Sequence, residues 1–452
     1  MITTLDLSII IGYLIAVFGI ATFFSIGQGL EGFLVNSRAT RLPFLVVSIV
    51  STTVGAGFFL SVAAEGYESG ISFGFTMIMV SIAASLTLAA ISRKIKYLSD
   101  NDNSSTVPEF LSIRYQSRTV GFVAALITVF GYLFVTALQF VGIGAIGSVI
   151  SGYDFKIILI IAGITTIAYT AIGGLRSNLF ADALSFLIMV IVLVIIITLI
   201  ITSEEIDLSK LPPTHLDVFA FSGVPFFFLS ILLSIVSAFM FMELWQRIFS
   251  AKDYKVAQCA FLISAVLQPP LIGSGIILGL VASILYKDID KSAGLFQVMV
   301  DFLPSGILGF GLVAVLAILM STVNSLVLVG GSALFTNMLT TNNLYQNGDV
   351  RLRWVRFLTI AFGACALCLA FLLPDLVRLL LMGAFIMMPM CPAIIWTLFA
   401  KKLHPKSSIA SMISGISVTI VLIPWMPDTA FAPGFLVSLL ILVVAHLALR
   451  KK

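Results

Sequence analysis

Residues 318–325 carry several neutral oxygen atoms in the middle of an apolar run that extends over residues 304–339. In a helix, positions spaced i, i+3, i+4 and i+7 share one face, which brings Ser321, Thr322 and Ser325 together with the backbone of Ile318. Uncharged oxygens clustered within a membrane segment can replace the water shell of a weakly held cation such as Na⁺. The alternative is that these small polar residues only join helices within the membrane.

A second group of oxygen atoms lies within the apolar run 42–68. Ser51, Thr52 and Thr53 are followed by Gly55 and Gly57. Three β-hydroxyl residues next to two glycines weaken the helix and let backbone carbonyls turn away from its hydrogen-bond ladder. Such a break is tolerated where it lines a cavity or an ion site, although a close-packed contact between helices would use the same residues.

Asp182 is the acidic residue with the most unusual position, because it lies inside the apolar run 178–202. A charged carboxylate costs about 2.5–3.5 kcal/mol at the centre of a membrane helix, so it is normally paired or functional. The sequence offers Arg176 or a bound cation as its partner. Glu243 is followed four residues later by Arg247, and this spacing predicts a structural ion pair on one helix face.

Composition identifies the surroundings of these residues. The chain has 452 residues, of which 60% are hydrophobic and 10% are charged, and its mean hydropathy is +1.15. These values exclude a soluble domain, and apolar runs of this length predict membrane helices. Thirteen spans are expected, at residues 5–26, 42–68, 71–92, 119–150, 155–173, 178–202, 224–249, 257–286, 304–339, 357–373, 376–399, 406–424 and 430–449.

Most basic residues lie in every second predicted loop, which places them on one side of the membrane. Of the 25 Lys and Arg, 20 fall on one side of the membrane, and the other side has only Lys156, Lys210, Lys287, Lys291 and Arg378. The positive-inside rule then predicts an outside N-terminus and a cytoplasmic C-terminus. The outer side is expected to have two longer loops, 203–223 and 287–303. No enzyme is predicted, because the sequence shows no set of nucleophile and base and no metal-ligand set.

Five sequence motifs follow one another along the chain. They are residues 55–67 (GAGFFLSVAAEGY), residues 106–115 (TVPEFLSIRY), the segment from Gly173-Gly174 to Asp182, residues 243–258 (ELWQRIFSAKDYKVAQ), and residues 320–325 (MSTVNS) with Thr336-Asn337. Together they resemble the motifs of the sodium:solute symporter family, in the same order and over most of spans two to nine.

The resemblance implies the leucine-transporter fold, an all-α membrane protein with two inverted five-helix repeats. Here it implies one extra N-terminal helix and loop (1–41), a first repeat (42–202), a second repeat (222–399) and two peripheral C-terminal helices (405–452). Na⁺ would bind between the first and eighth core helices, at the carbonyls of Ser51, Val54 and Ile318 and the hydroxyls of Ser321 and Thr322. A second Na⁺, which some members bind, would use Asp182, Ser321, Asn324 and Ser325.

The family resemblance also indicates a solute site at the middle of the membrane. Its matching residues are Thr53, Phe58, Phe73, Met77, Gln139, Ser234 and Ser237. These are uncharged and rather apolar, so they disfavour a hexose or a sialic acid. They favour a small amino acid, a monocarboxylate or a vitamin-like acid. A half-helix N-terminus could bind a carboxylate in place of an Arg.

The sequence therefore predicts a sodium-coupled symporter that imports a small organic solute by alternating access. It is expected in a plasma membrane, most simply the inner membrane of a bacterium, acting as a monomer without a cofactor other than the coupling Na⁺ and without nucleic acid. Two alternatives stay open. One is a proton-coupled transporter that uses Asp182, and the other is a transport-like solute sensor.

Overall fold

The computed structural model describes residues 3–204, 206–287, 289–339, 348–426 and 429–450. In these residues the chain is built from helices and has no β-strand beyond one isolated bridge between Thr40 and Ala251. The helices are α1 (Thr4–Ser25), α2 (Leu30–Val35), α3 (Leu42–Thr53), α4 (Ala56–Ser69), α5 (Ile71–Asp102), α6 (Val107–Arg114), α7 (Arg118–Ser151), α8 (Phe155–Ile201), α9 (Gly223–Ser237), α10 (Met242–Ser250), α11 (Tyr254–Leu285), α12 (Lys291–Phe302), α13 (Ile307–Leu334), α14 (Gly348–Leu372), α15 (Leu376–Met387), α16 (Cys391–Phe399), α17 (Pro405–Leu422) and α18 (Phe431–Arg450).

The described helices confirm a protein that crosses a membrane many times. Ten are long and apolar enough to span a bilayer, and the number reaches twelve when two bent pairs are each counted as one span. The bent pairs are α3 with α4, at 49°, and α9 with α10, at 50°. The break between α3 and α4 falls where the hydroxyl and glycine residues predict it. No glycine or proline marks the break between α9 and α10, so the sequence did not predict its position.

The predicted fifth and sixth spans lie in one helical run, α8, of 47 residues. A straight helix of that length would measure about 70 Å, more than twice the apolar thickness of a bilayer. The run is interrupted at Gly174, whose φ of 59° and ψ of −157° are not helical. A Cβ there would lie 2.5 Å from the ring of Phe33, so both the backbone angles and the packing require glycine.

The second predicted outer loop, 287–303, is not simply a loop. It contains α12, whose residues Leu295, Phe296, Val298 and Met299 are buried. Their spacing places them on one helix face, which packs against the membrane helices. This helix has only 12 residues and begins with the charged Lys291, so its sequence does not form a long apolar run.

Helix α13 lies at the centre of the protein. Nearly all of its residues are buried, including Ser321, Thr322, Asn324 and Ser325. It packs against α1, α3, α7, α8 and α14. The polar side chains of α13 therefore face protein and not lipid, and their partners on neighbouring helices decide what they can do.

Candidate functional site

The break between α3 and α4 frees backbone carbonyls from the helical hydrogen-bond pattern. Helix α3 ends at Thr53, and the chain leaves helical geometry at Val54 (φ −83°, ψ 38°) and Gly55 (φ −58°, ψ 163°). The last four carbonyls of a helix lack partners within it, and the carbonyl of Ser51 belongs to this group. The local fold therefore supplies the type of backbone oxygen that the sequence predicted at Ser51 and Val54.

This break lies directly against the hydroxyl face of α13. A Cβ added to Gly55 would lie 2.4 Å from Oγ1 of Thr322, so the two residues are in close contact. The Thr322 hydroxyl donates to the carbonyl of Ile318 at 3.3 Å. The structure thus brings together the two elements on which Ser51, Val54, Ile318, Ser321 and Thr322 were expected to form one site.

Asp182 lies beside the same face and is completely buried. Its Oδ1 accepts a hydrogen bond from the hydroxyl of Ser321 at 2.6 Å, and its Oδ2 accepts one from Ser48 at 2.5 Å. Because Ser321 donates its proton to Asp182, the lone pairs of its oxygen remain available to a cation. Asp182 therefore orients the hydroxyl of Ser321.

The cationic side chain that pairs with Asp182 is Arg247, and not Arg176, which was one of the two partners that the sequence left open. Nη2 of Arg247 lies 3.5 Å from Oδ2 of Asp182, and both side chains are fully buried. Arg176 is exposed, and its guanidinium lies 5.4 Å from the ring centroid of Phe24. Arg176 lies six positions before Asp182 on α8, and the two side chains point to different sides of the helix, so they do not form an ion pair.

The guanidinium of Arg247 also binds several neutral oxygens. Nη2 donates to Ser325 at 2.6 Å and to Thr52 at 3.1 Å, and Nε donates to Ser48 at 3.2 Å. Nη1 donates to the backbone carbonyl of Glu243 at 3.3 Å. The expected side-chain ion pair of Glu243 with Arg247 is therefore not the one that forms, because Arg247 turns toward Asp182.

The carboxylate of Glu243 instead accepts a short hydrogen bond from the hydroxyl of Tyr132 on α7. The same hydroxyl accepts a bond from the backbone N–H of Met242 at 2.7 Å. Tyr132 thus satisfies a free N–H group at the start of α10, where an acidic residue such as Glu243 is also favoured. This contact fixes the helix that carries Arg247.

The other predicted ligands of a second cation are also engaged. The side-chain oxygen of Asn324 accepts a hydrogen bond from Thr170 at 3.0 Å, and the hydroxyl of Ser325 donates to the carbonyl of Ser321 at 3.1 Å. Asp182 and Ser325 therefore both contact the Arg247 guanidinium, whereas Ser321 binds the other carboxylate oxygen of Asp182 and Asn324 binds α8.

One residue of the expected solute site has a partner that sequence reasoning missed. Nε2 of Gln268, on α11, donates to the hydroxyl of Thr53 at 2.9 Å, and its Oε1 accepts from Ser85 at 3.4 Å. Gln268 is completely buried. A carboxamide followed by Pro269 and Pro270 inside an apolar run was a signal that could have revealed it.

Gln139 has an unsatisfied polar atom. Its buried Oε1 has no hydrogen-bond partner within the described part of the chain, and neither has Oγ1 of Thr136, one turn earlier on α7. Buried polar atoms without partners are uncommon, and a ligand or water is the usual explanation. The oxygen of Gln139 is therefore free to accept a hydrogen bond, and its place in the solute site stays a prediction.

The remaining residues of the expected solute site are distributed over three helices, α4, α5 and α9. Phe58, Phe73 and Met77, on α4 and α5, are partly buried against the core. The hydroxyls of Ser234 and Ser237, at the end of α9, donate to the carbonyls one turn before them, at 2.7 Å and 3.1 Å. These two hydroxyls keep their lone pairs for a solute.

The sequence is similar to those of known transporters. The sequence model described as the sodium:solute symporter family matches residues 33–415. A sodium/pantothenate symporter of Escherichia coli is 23% identical over 97% of this chain and 95% of its own length. A sodium/proline symporter of Staphylococcus aureus is 22% identical over 93% of this chain and 88% of its own.

A solved structure shares the fold. A Na⁺-coupled sialic acid symporter in a substrate-bound, outward-open state superimposes with a TM-score of 0.82 at 16% identity, over 98% of both chains. A nucleobase-cation-symport transporter in a closed conformation matches with a TM-score of 0.58 at 15% identity, over 92% of this chain and 94% of its own.

Proposed function

The chain belongs to the sodium:solute symporter family, and on that premise we propose that it imports a small organic solute together with Na⁺ by alternating access. The observation that carries the proposal is the contact between Gly55 and Thr322, which joins the carbonyls of a broken helix to the hydroxyls of α13. Neutral oxygens from two separate elements are suited to a cation that must bind and leave in every cycle.

The Na⁺ ligands in this proposal are the carbonyls of Ser51, Val54 and Ile318 and the hydroxyls of Ser321 and Thr322. The hydrogen bond from Ser321 to Asp182 supports the assignment, because it leaves the Ser321 oxygen as an acceptor beside a negative charge. Asp182 would then stabilise the bound ion without touching it.

Coupling follows from the position of the ion. Na⁺ would hold the α3–α4 break against α13, and the break carries Thr53, which belongs to the proposed solute site. Ordering the break for one ligand favours the other, and linkage requires the two effects to be equal in free energy. Each positive charge that moves inward gains about 2.3 kcal/mol per 100 mV of membrane potential.

We propose a small amino acid or a carboxylic acid as the solute. The residues assigned to the site, Thr53, Phe58, Phe73, Met77, Gln139, Ser234 and Ser237, are uncharged, and Gln268 adds a carboxamide next to Thr53. A carboxylate would meet hydroxyls, amides and the free N–H groups of a half-helix. Pantothenate and proline, the solutes of two related symporters, belong to the same chemical range.

The proposal includes the finer topology. Dividing α8 at Gly174 and counting each bent pair as one span gives thirteen spans, with repeats at 42–202 and 222–399 between a peripheral segment at 1–41 and peripheral helices at 405–452. The N-terminus would lie outside, the C-terminus in the cytoplasm, and the monomer would be the transporting unit. Bacterial relatives favour the bacterial plasma membrane.

Uptake by proteoliposomes tests the function. The purified chain would be offered labelled amino acids, monocarboxylates and pantothenate under a Na⁺, K⁺ or proton gradient. Uptake driven by Na⁺ is expected for one solute class. In the double variant Ser321→Ala/Thr322→Ala, which lacks two proposed ligands, the half-saturating Na⁺ concentration should rise about tenfold or more. A tenfold change in affinity corresponds to only ~1.4 kcal/mol of binding free energy.

A matched control is Thr165→Ala/Ser283→Ala, because these hydroxyls bond to the backbone of their own helices at 2.6 Å and 2.8 Å. The control should keep the wild-type Na⁺ dependence. Unchanged Na⁺ dependence in Ser321→Ala/Thr322→Ala would refute the ion site. Uptake that follows a proton gradient without Na⁺ would establish the proton-coupled alternative, and solute binding without uptake would establish the sensor.

A further inference from the structure

The guanidinium of Arg247 lies among the residues expected to bind a second cation. We propose that it permanently takes the place of that ion, so that the chain binds and couples one Na⁺ per cycle and not two. This inference rests on the proposed function, since it concerns the stoichiometry of the same sodium-coupled transport. It assigns to Arg247 the role of a covalently attached cation.

The contacts of Nη2 carry the argument. This one nitrogen lies 2.6 Å from Oγ of Ser325 and 3.5 Å from Oδ2 of Asp182, which are two of the four expected ligands. The other carboxylate oxygen of Asp182 accepts from Ser321, and the side-chain oxygen of Asn324 accepts from Thr170. All four residues already have partners, and no free Na⁺ is needed to satisfy them.

The electrostatic balance leads to the same conclusion. Asp182 and Arg247 are both fully buried, and their charges cancel. A Na⁺ bound to Asp182 and Ser325 would lie against the guanidinium and leave an uncompensated positive charge in a dry interior. Buried charges are tolerated when they are paired, and a surplus charge of the same sign is not.

Further hydrogen bonds hold the guanidinium in place. Its Nε donates to Ser48, its Nη1 donates to the carbonyl of Glu243, and its Nη2 also donates to Thr52. The planar, forked donors of Arg match this fixed set of acceptors, which a small spherical ion could not satisfy together. Departure of Arg247 would leave several buried acceptors without donors.

The first ion site is compatible with this arrangement. The contacts of Arg247 are with Asp182, Ser48, Thr52, Ser325 and the Glu243 carbonyl, whereas the expected first site uses Thr322 and the Ile318 carbonyl of α13. Ser321 belongs to both expected sites, but its proton goes to Asp182 and its lone pairs stay available. One Na⁺ can therefore bind while Arg247 stays in place.

Equilibrium binding of ²²Na⁺ to the purified full-length chain in detergent tests this stoichiometry without a known solute. We expect one Na⁺ per wild-type chain and a second one in Arg247→Gln, whose fold is checked by size-exclusion chromatography and circular dichroism. The matched control is Arg176→Gln, at the exposed arginine of α8. It should bind one Na⁺, like the wild type.

Ser325→Ala keeps the test decisive should Arg247→Gln fail to fold. If Ser325 binds only Arg247 and the Ser321 carbonyl, its removal should change the Na⁺ affinity of the single site less than about threefold. The inference is overturned by two Na⁺ per wild-type chain, by one Na⁺ in a folded Arg247→Gln, or by a tenfold loss of Na⁺ affinity in Ser325→Ala. A wild-type chain that binds no Na⁺ would instead remove the proposed function itself.

Discussion

Asp182 on α8 and Arg247 on α10 form an ion pair between two fully buried side chains, with 3.5 Å between Oδ2 and Nη2. The pair joins the part of α8 that follows Gly174 to α10, the second helix of the broken pair α9–α10. Both residues share Ser48 as a hydrogen-bond partner, so α3 is part of the same network. Helices α3, α8 and α10 are therefore fixed relative to one another by this buried pair and Ser48.

Removing one member of this pair should destabilise the protein strongly. Asp182→Asn leaves the buried guanidinium without a counter-charge, and breaking a buried pair in this way costs about 3–5 kcal/mol. Thermal unfolding of the purified protein in detergent should show a clearly lower midpoint for Asp182→Asn than for Arg176→Gln.

A double-mutant cycle then isolates the interaction. Asp182→Asn/Arg247→Gln removes both charges, so its loss of stability should be smaller than the sum of the two single losses. Additive losses would contradict the pairing seen between these two side chains.

Gly55 provides a separate test of the contact between the helix break and α13. Its φ of −58° is accessible to any residue, so Gly55→Ala causes no backbone strain. The new Cβ would lie 2.4 Å from Oγ1 of Thr322, which must move. The half-saturating Na⁺ concentration for uptake should rise about tenfold, which corresponds to ~1.4 kcal/mol.

The control for this change is Gly273→Ala on α11, because a Cβ at Gly273 would have no neighbour within 4 Å. This variant should keep the wild-type dependence on Na⁺. Equal Na⁺ affinity in Gly55→Ala and Gly273→Ala would show that the contact between Gly55 and Thr322 has no part in ion binding.

Substitution of Gln268 should change the affinity for the solute more than the affinity for Na⁺. Gln268→Ala leaves the hydroxyl of Thr53 without its donor at 2.9 Å, and the loss of one buried hydrogen bond costs about 1–3 kcal/mol. The half-saturating solute concentration should therefore rise at least about fivefold, with a smaller change for Na⁺. Uptake kinetics at saturating Na⁺ measure this difference.

Ser283→Ala is the matched control on the same helix, since the Ser283 hydroxyl bonds to the carbonyl of Leu280. It should leave both half-saturating concentrations unchanged. A Gln268→Ala variant with wild-type solute affinity would exclude Gln268 and Thr53 from the solute site.

The apolar runs and the family motifs predicted the helical membrane architecture well, because membrane helices must satisfy their own backbone and therefore leave long, recognisable patterns. The hydroxyl and glycine residues at 51–57 also indicated the first helix break. The break between α9 and α10 was not located, since its residues Ala238 to Phe241 include neither glycine nor proline.

The partner of Asp182 could not be predicted for a different reason. The rule that pairs Glu243 with Arg247 describes neighbours on an exposed helix face, where nothing else competes. In this protein α10 is buried along its whole length. Arg247 pairs with Asp182, and both bind the hydroxyl of Ser48, whereas Glu243 binds Tyr132. These partners depend on tertiary packing, which the local sequence does not show.

The last prediction concerns an ion-pair cluster in which Lys291 of α12 binds Glu65 at 2.9 Å and Glu68 at 2.5 Å, both on α4. The hydrogen bonds that Lys291 donates to Glu68 and Glu65 raise its pKa above the usual value of 10.5. A raised pKa means that the stabilisation is complete below pH 10.5 and is lost as the pH rises through the higher, folded-state value.

Because Lys291 is partly exposed, the pair should contribute no more than about 1 kcal/mol to the free energy of unfolding. Lys291→Gln should therefore lower the unfolding midpoint by less than about 2 °C at pH 8, and the difference from the wild type should disappear at strongly alkaline pH. Lys156→Gln, at an exposed lysine, should show no such pH-dependent difference, and a Lys291→Gln effect that grows with pH would contradict the pairing.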